Sequence, residues 1–130
     1  KAVLGREVRT LADLERLVTE GLPRAALEHV AEHVFPGPAR RRALIHGVVP
    51  ESTFRRRVRL TPVESERAER WARIIARAKR LWQNEEAARD FLTLPHPLRD
   101  GRSMLEAAQT GLGAKQAERI LANLEYGLPV

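Results

Sequence analysis

The stretch Leu60-Thr61-Pro62-Val63-Glu64 constrains the fold of this chain more tightly than any other five residues. Thr61 offers a capping hydroxyl, and Pro62 takes a first helical position, where no amide N–H is required. Glu64 follows the cap by three residues, the spacing of a capping box. From there Trp71, Ile74, Ile75, Ala78, Leu81 and Trp82 recur on one stripe, so a single helix is expected from Pro62 to about Gln83. At 1.5 Å per residue it would be about 33 Å long, enough to join two lobes or to form a dimer seam. An ordinary core helix accounts for the stripe equally well.

The rest of the chain carries the same kind of punctuation, and no segment alternates like a strand. Thr10, with Asp13 three residues on, reads as the N-cap of a helix bearing Leu11, Leu14, Leu17 and Val18, which Gly21 ends. Pro23 opens a second helix with Leu27, Val30 and Val34 inward, and Phe35-Pro36-Gly37-Pro38 breaks it. Ala39 to His46 reads as a short helix with Leu44 and Ile45 inward. Gly47-Val48-Val49 is a tight turn, and Pro50 begins another helix to about Arg59. That succession is the layout of a helix-turn-helix. Later, Asn84 caps a helix with Ala87, Ala88, Phe91, Leu92 and Leu94 inward, and Ser103 with Glu106 forms a second capping box closed by Gly111. A last helix begins near Gly113, buries Ala117, Ile120, Leu121 and Leu124, and stops on Gly127. The expected fold is all-α, with an N-terminal helix-turn-helix half (residues 1–60). A long helix joins it to a small helical half within residues 61–130.

Charge marks the first half for a polyanion. Residues 1–60 hold 12 basic and 7 acidic side chains, whereas residues 61–130 hold 11 and 10. Between residues 40 and 60 seven arginines face one acid, Glu51. On the second helix of the pair, Phe54 and Val58 are expected to anchor to the core. Ser52, Arg56 and Arg59 then point most directly away, with Thr53, Arg55 and Arg57 on the flanks. Arginine reads guanine edges in two bonds, and hydroxyls hold phosphate or base, so this face suits the major groove. Arg40, Arg41 and Arg42, at the start of the preceding helix, would clamp the backbone. A basic face that is merely solvated is the competing reading.

Other chemistries find little support. The chain has no cysteine, which removes disulfides and thiolate nucleophiles. No apolar run reaches bilayer length and no signal pattern opens the sequence, so cytoplasmic residence is expected. A chain that opens at Lys1 with Met104 as its one methionine is expected to lack its true start. His29-Val30-Ala31-Glu32-His33 matches an inverted zinc-peptidase motif, but a hydrolytic zinc needs a third protein ligand, and neither His46 nor His96 stands at a suitable spacing. Gly111-Leu112-Gly113 is too short for a phosphate loop. Ser52, Ser65 and Ser103 have no histidine at motif spacing, and Glu85-Glu86 suits a helix dipole. No enzyme, metal or cofactor is expected.

From about Ile74 to Val130 the sequence resembles the toxin-binding domain of the MbcA/ParS/Xre antitoxin family. The resemblance lies in the order of short motifs. An alanine-rich helix runs into Leu81-Trp82, followed by Asn84-Glu85-Glu86-Ala87 and Phe91-Leu92. Next come Pro95-His96-Pro97-Leu98, Asp100-Gly101-Arg102 and Ser103-Met104-Leu105-Glu106, then Ala117-Glu118-Arg119-Ile120-Leu121 before Tyr126-Gly127. Several of these are variants of the family's forms. Residues 1 to about 60 resemble the family's helix-turn-helix half more loosely.

The resemblance implies a dimeric antitoxin that binds a RES-domain toxin, an NAD-consuming protein of ADP-ribosyltransferase-like fold, and blocks its cleft with C-terminal residues. It also implies repression of the antitoxin's own operon through operator DNA. Tyr126, Gly127, Leu128, Pro129 and Val130 would then form the inhibitory element, with Arg99, Asp100, Gly101 and Arg102 as further toxin contacts. Five extended residues reach about 17 Å, enough for such a tail to enter a cleft. Two alternatives stand beside this one. One is a stand-alone regulator whose C-terminal half only dimerises or senses a ligand, and the other is an interaction module that no longer binds DNA.

Overall fold

The computed structural model describes residues 10–95 and 101–127, and the regular structure among them is helical. The helices are α1 (Leu11–Glu20), α2 (Arg24–Glu32), α3 (Pro38–His46), α4 (Glu51–Arg56), α5 (Pro62–Trp82), α6 (Glu85–Thr93), α7 (Met104–Ala107) and α8 (Gly111–Glu125). The expected all-α class holds, with one isolated antiparallel bridge between Pro23 and Arg59. The chain divides into two compact units, one ending at Ala72 and the other starting at Arg73. No helix among the described residues is long and apolar enough to cross a membrane.

In the first unit the Thr10 hydroxyl accepts the Asp13 N–H at 3.1 Å and starts α1. Leu14, Leu17 and Val18 of α1 are only half-buried and Leu11 is exposed, so the expected stripe is a shallow one. α2 packs against α3, and Leu27, Val30, Ala31, Val34, Ile45, Val48, Val49 and Phe54 are buried. The capping box at α5 forms as expected: Glu64 N–H donates to the Thr61 hydroxyl, and Thr61 N–H to the Glu64 carboxylate.

A seam that no periodicity announces closes this unit. Residues 21–24 run beside residues 58–60, with Leu60 N–H donating to the Leu22 carbonyl at 2.8 Å and Arg24 N–H to the Val58 carbonyl at 3.4 Å. Leu22 N–H points inward and donates to the hydroxyl of Ser65 at 2.9 Å, both residues being fully buried. Gly21 makes the approach possible. Its φ of 91° disfavours any L side chain, and a Cβ there would run into the Leu60 carbonyl oxygen. The seam also corrects the expected length of the last helix of the pair. α4 stops at Arg56, because residues 57–60 leave the helix to reach 21–24. Val58 is consequently 84% exposed and is no anchor, while Leu60 is buried.

In the second unit α7 packs against both α6 and α8. Ile74, Ile75 and Ala78 of α5 are buried, and the Trp82 ring lies 4.6 Å from that of Phe91. Asn84 caps α6 through the Ala87 N–H, Ala88 and Leu92 face in, and Leu94 is 55% exposed instead of inward. The Ser103–Glu106 capping box is complete. Gly111 does not close that helix: α7 ends at Ala107, and Gly111 is the first residue of α8, whose cap is the Thr110 hydroxyl. Gly113 lets α8 lie on the end of α7, since a Cβ would overlap the Ala107 carbonyl. Arg73 and Arg77 of α5 pair with Glu118 and Glu125 of α8 at 3.3 and 3.0 Å.

Candidate DNA interface

The basic face is built on α3, the turn after it and α4. Pro38 stands at the start of α3, where its missing N–H is harmless, and leaves the first turns free for Arg40, Arg41 and Arg42. Arg41 Nε donates to the Phe35 carbonyl at 2.7 Å, and the Arg40 guanidinium lies over the Phe35 ring at 5.6 Å. Arg42 is exposed and has no hydrogen-bond or ion-pair partner among the described residues.

Backbone bonds from Gly47, Val48 and Val49 to carbonyls of α3 make the turn, and Val48 and Val49 bury their side chains beneath it. His46, which the sequence left without a role, braces it. Its Nδ1 lies 3.0 Å from the Val49 carbonyl, an acceptor, so that nitrogen carries the proton in this contact. The ring also meets Phe54 edge-on at 5.8 Å.

α4 has only six residues, too few for a helix to persist by its own propensity, so tertiary contacts must hold it. Phe54 is its buried anchor. Arg24 of α2 supplies a second hold: Nη1 donates to the carbonyls of Phe54 and Arg55 at 3.3 and 3.1 Å, with the guanidinium 5.7 Å from the Phe54 ring. These carbonyls belong to the last turn, where the helix itself supplies few donors and the Phe54 carbonyl also accepts the Arg57 N–H at 3.1 Å. Arg24 escaped the sequence reading because its partner lies 30 residues away, and nothing local marks it.

The candidate contact residues thus fall into two groups. Ser52, Arg55 and Arg56 are exposed on α4, and Thr53 is half-buried. Arg55 is hydrogen-bonded to Glu51, whereas Arg56 has no partner among the described residues. Arg57 and Arg59 lie beyond the helix and are engaged within the fold. Arg57 pairs with Glu64 at 3.2 Å, and Arg59 donates to the Gly21 carbonyl at 2.9 Å.

Residues 13–73 match the family described as the antitoxin Xre-like helix-turn-helix domain. The match starts in α1, takes in α2, α3 and α4 whole, and ends in α5. It therefore covers the Xre-like helix-turn-helix together with the Arg24 brace and the seam that sets the end of α4. The match supports an Xre-like antitoxin or DNA-binding regulator, with DNA and a toxin as the general classes of partner. No curated protein matches the chain.

Outside the Xre-like segment, Tyr126 is 78% exposed at the end of α8, and Gly127 follows with a φ of 69°. Gly101 and Arg102 are exposed. Arg99, Asp100, Leu128, Pro129 and Val130 lie outside the described residues, as do His96, Pro97 and Leu98. His29 and Glu32 approach to 3.6 Å, and among the described residues no group of three or more His, Cys, Asp or Glu could hold a metal.

Proposed function

We propose that this protein is a cytoplasmic antitoxin that neutralises a RES-type toxin with its C-terminal end and represses its own operon through the helix-turn-helix. The observation that carries the reading is the antitoxin-type match over residues 13–73, on a segment whose α4 presents Ser52, Arg55 and Arg56 to solvent. In this proposal residues 1–60 hold DNA, with Arg42 and Arg56 on phosphate or base, and a homodimer spans the operator. Residues 61–130 supply the long helix and the toxin-binding half, whose contacts are Arg99, Asp100, Gly101, Arg102, Tyr126, Gly127, Leu128, Pro129 and Val130. Motif order in the second half supports the toxin class, and the exposed Tyr126 ring is consistent with an interface anchor. Pro129 would limit the freedom of the tail before binding and so lower the ordering cost.

The test is rescue. A RES-type toxin is co-expressed with the full chain or with a chain lacking Leu128 to Val130. The truncated chain is expected to fold and bind duplex as before yet to leave the toxin active. Full rescue by the truncated chain would overturn the role of the tail.

A further inference from the structure

From Gly37 to Arg59 the chain carries seven arginines and a single acid, Glu51. Glu51 is the first residue of α4, and its carboxylate accepts a hydrogen bond from the Arg55 guanidinium one turn later. Both side chains are exposed, at 57% and 73%. A carboxylate on a surface that meets phosphates lowers affinity for every duplex, because binding there runs on neutralised phosphate charge and released counterions. At a base edge the same group discriminates. It accepts from the N4 amino group of cytosine and is repelled by the acceptor atoms of guanine and thymine. Arg55 keeps further N–H donors beyond the one given to Glu51, and two parallel donors match O6 and N7 of guanine.

We propose that Glu51 and Arg55 act as one specificity pair on DNA: Glu51 takes the amino group of a cytosine, and Arg55, oriented by it, reads a guanine in the adjoining base pair. The proposal rests on the DNA-binding reading above. It gives the cations of this face separate tasks. Arg41, Arg57 and Arg59 hold the fold through the Phe35 carbonyl, Glu64 and the Gly21 carbonyl. Arg42 and Arg56, without partners among the described residues, supply affinity. Glu51 supplies selectivity at the expense of affinity.

The test is selection of binding sites from a random-sequence duplex library by the full chain, as wild type, Glu51→Gln and Arg55→Ala, with affinity for unselected duplex measured alongside. Wild type is expected to enrich a motif in which a cytosine adjoins a guanine. Glu51→Gln should lose about ten-fold of the cytosine preference, keep the rest of the motif and bind unselected duplex more tightly. Arg55→Ala should lose the guanine. Glutamine preserves the length and shape of the side chain, so a thermal melt like that of wild type is expected for Glu51→Gln. An unchanged motif from Glu51→Gln overturns the pair and leaves DNA binding standing. Failure of the wild-type chain to bind any duplex, even at low salt, overturns both.

Discussion

Ser65 shows how much one hydroxyl can hold. It is fully buried on the inner side of α5, and its oxygen is the acceptor for the Leu22 N–H. Ser65→Ala leaves that buried donor without a partner and should destabilise the chain by about 1–3 kcal/mol, read from a denaturant melt. Arg24 is a different case, since it is exposed and works through the carbonyls at the end of α4. Arg24→Ala is expected to change stability by only about 1 kcal/mol, solvent screening both contacts. It should nevertheless weaken duplex binding well beyond the loss of one charge, because α4 is no longer held. Arg24→Lys restores the charge without the two-carbonyl grip, so wild-type binding by Arg24→Lys would rule out the bracing role. Neither side chain is among the proposed DNA contacts.

Among the elements, α5 is the longest and the best specified, yet it ends under strain. Gln83 follows its last residue with a φ of 51°, in the left-handed region where glycine is the usual occupant. Its N–H closes on the Lys79 carbonyl at 3.1 Å, so the backbone is committed to this stop. Gln83→Gly should therefore stabilise the chain by about 0.5–1 kcal/mol, seen as a higher Tm. A lower Tm would mean that the exposed glutamine side chain contributes more than its backbone loses. α4 is the opposite kind of element: short, without a side-chain N-cap, and set by contacts from α2, from the His46 turn and from the seam. Its exposed residues were legible from spacing along the chain. Its end was not, because residues 57–60 are drawn out by partners at 21–24.

At the scale of the whole molecule, the two proposed tasks sit in different units and should separate by mutation. Arg56→Ala is expected to weaken operator binding, reduce its salt slope by about one, and leave toxin rescue unchanged. The chain lacking Leu128 to Val130 should show the reverse pattern. A variant set in which both activities always fall together would argue that the two units act only as one. Arg56 is the cleaner probe than Arg57, whose guanidinium pairs with Glu64 at the start of α5, so that its loss would disturb the fold as well as the charge.

The amino-acid order alone determined the all-helical class, the two capping boxes, the start of α5 and the basic face of α3 and α4. These depend on residues three or four apart, which a helix brings together whatever surrounds it. The toxin-binding half stands on a different footing, the resemblance of the motif order from about Ile74 onward to an antitoxin family, and remains a proposal. Only the tertiary structure decided which arginines remain open. Arg41, Arg57 and Arg59 are engaged within the fold by Phe35, Glu64 and Gly21, whereas Arg42 and Arg56 meet no partner among the described residues. Ser65, Arg24 and Leu60 acquire their roles in the same way, from neighbours 30 or more residues distant. Helical periodicity carries no information over that separation, because the partner is chosen by packing and by the need of buried backbone groups for hydrogen bonds.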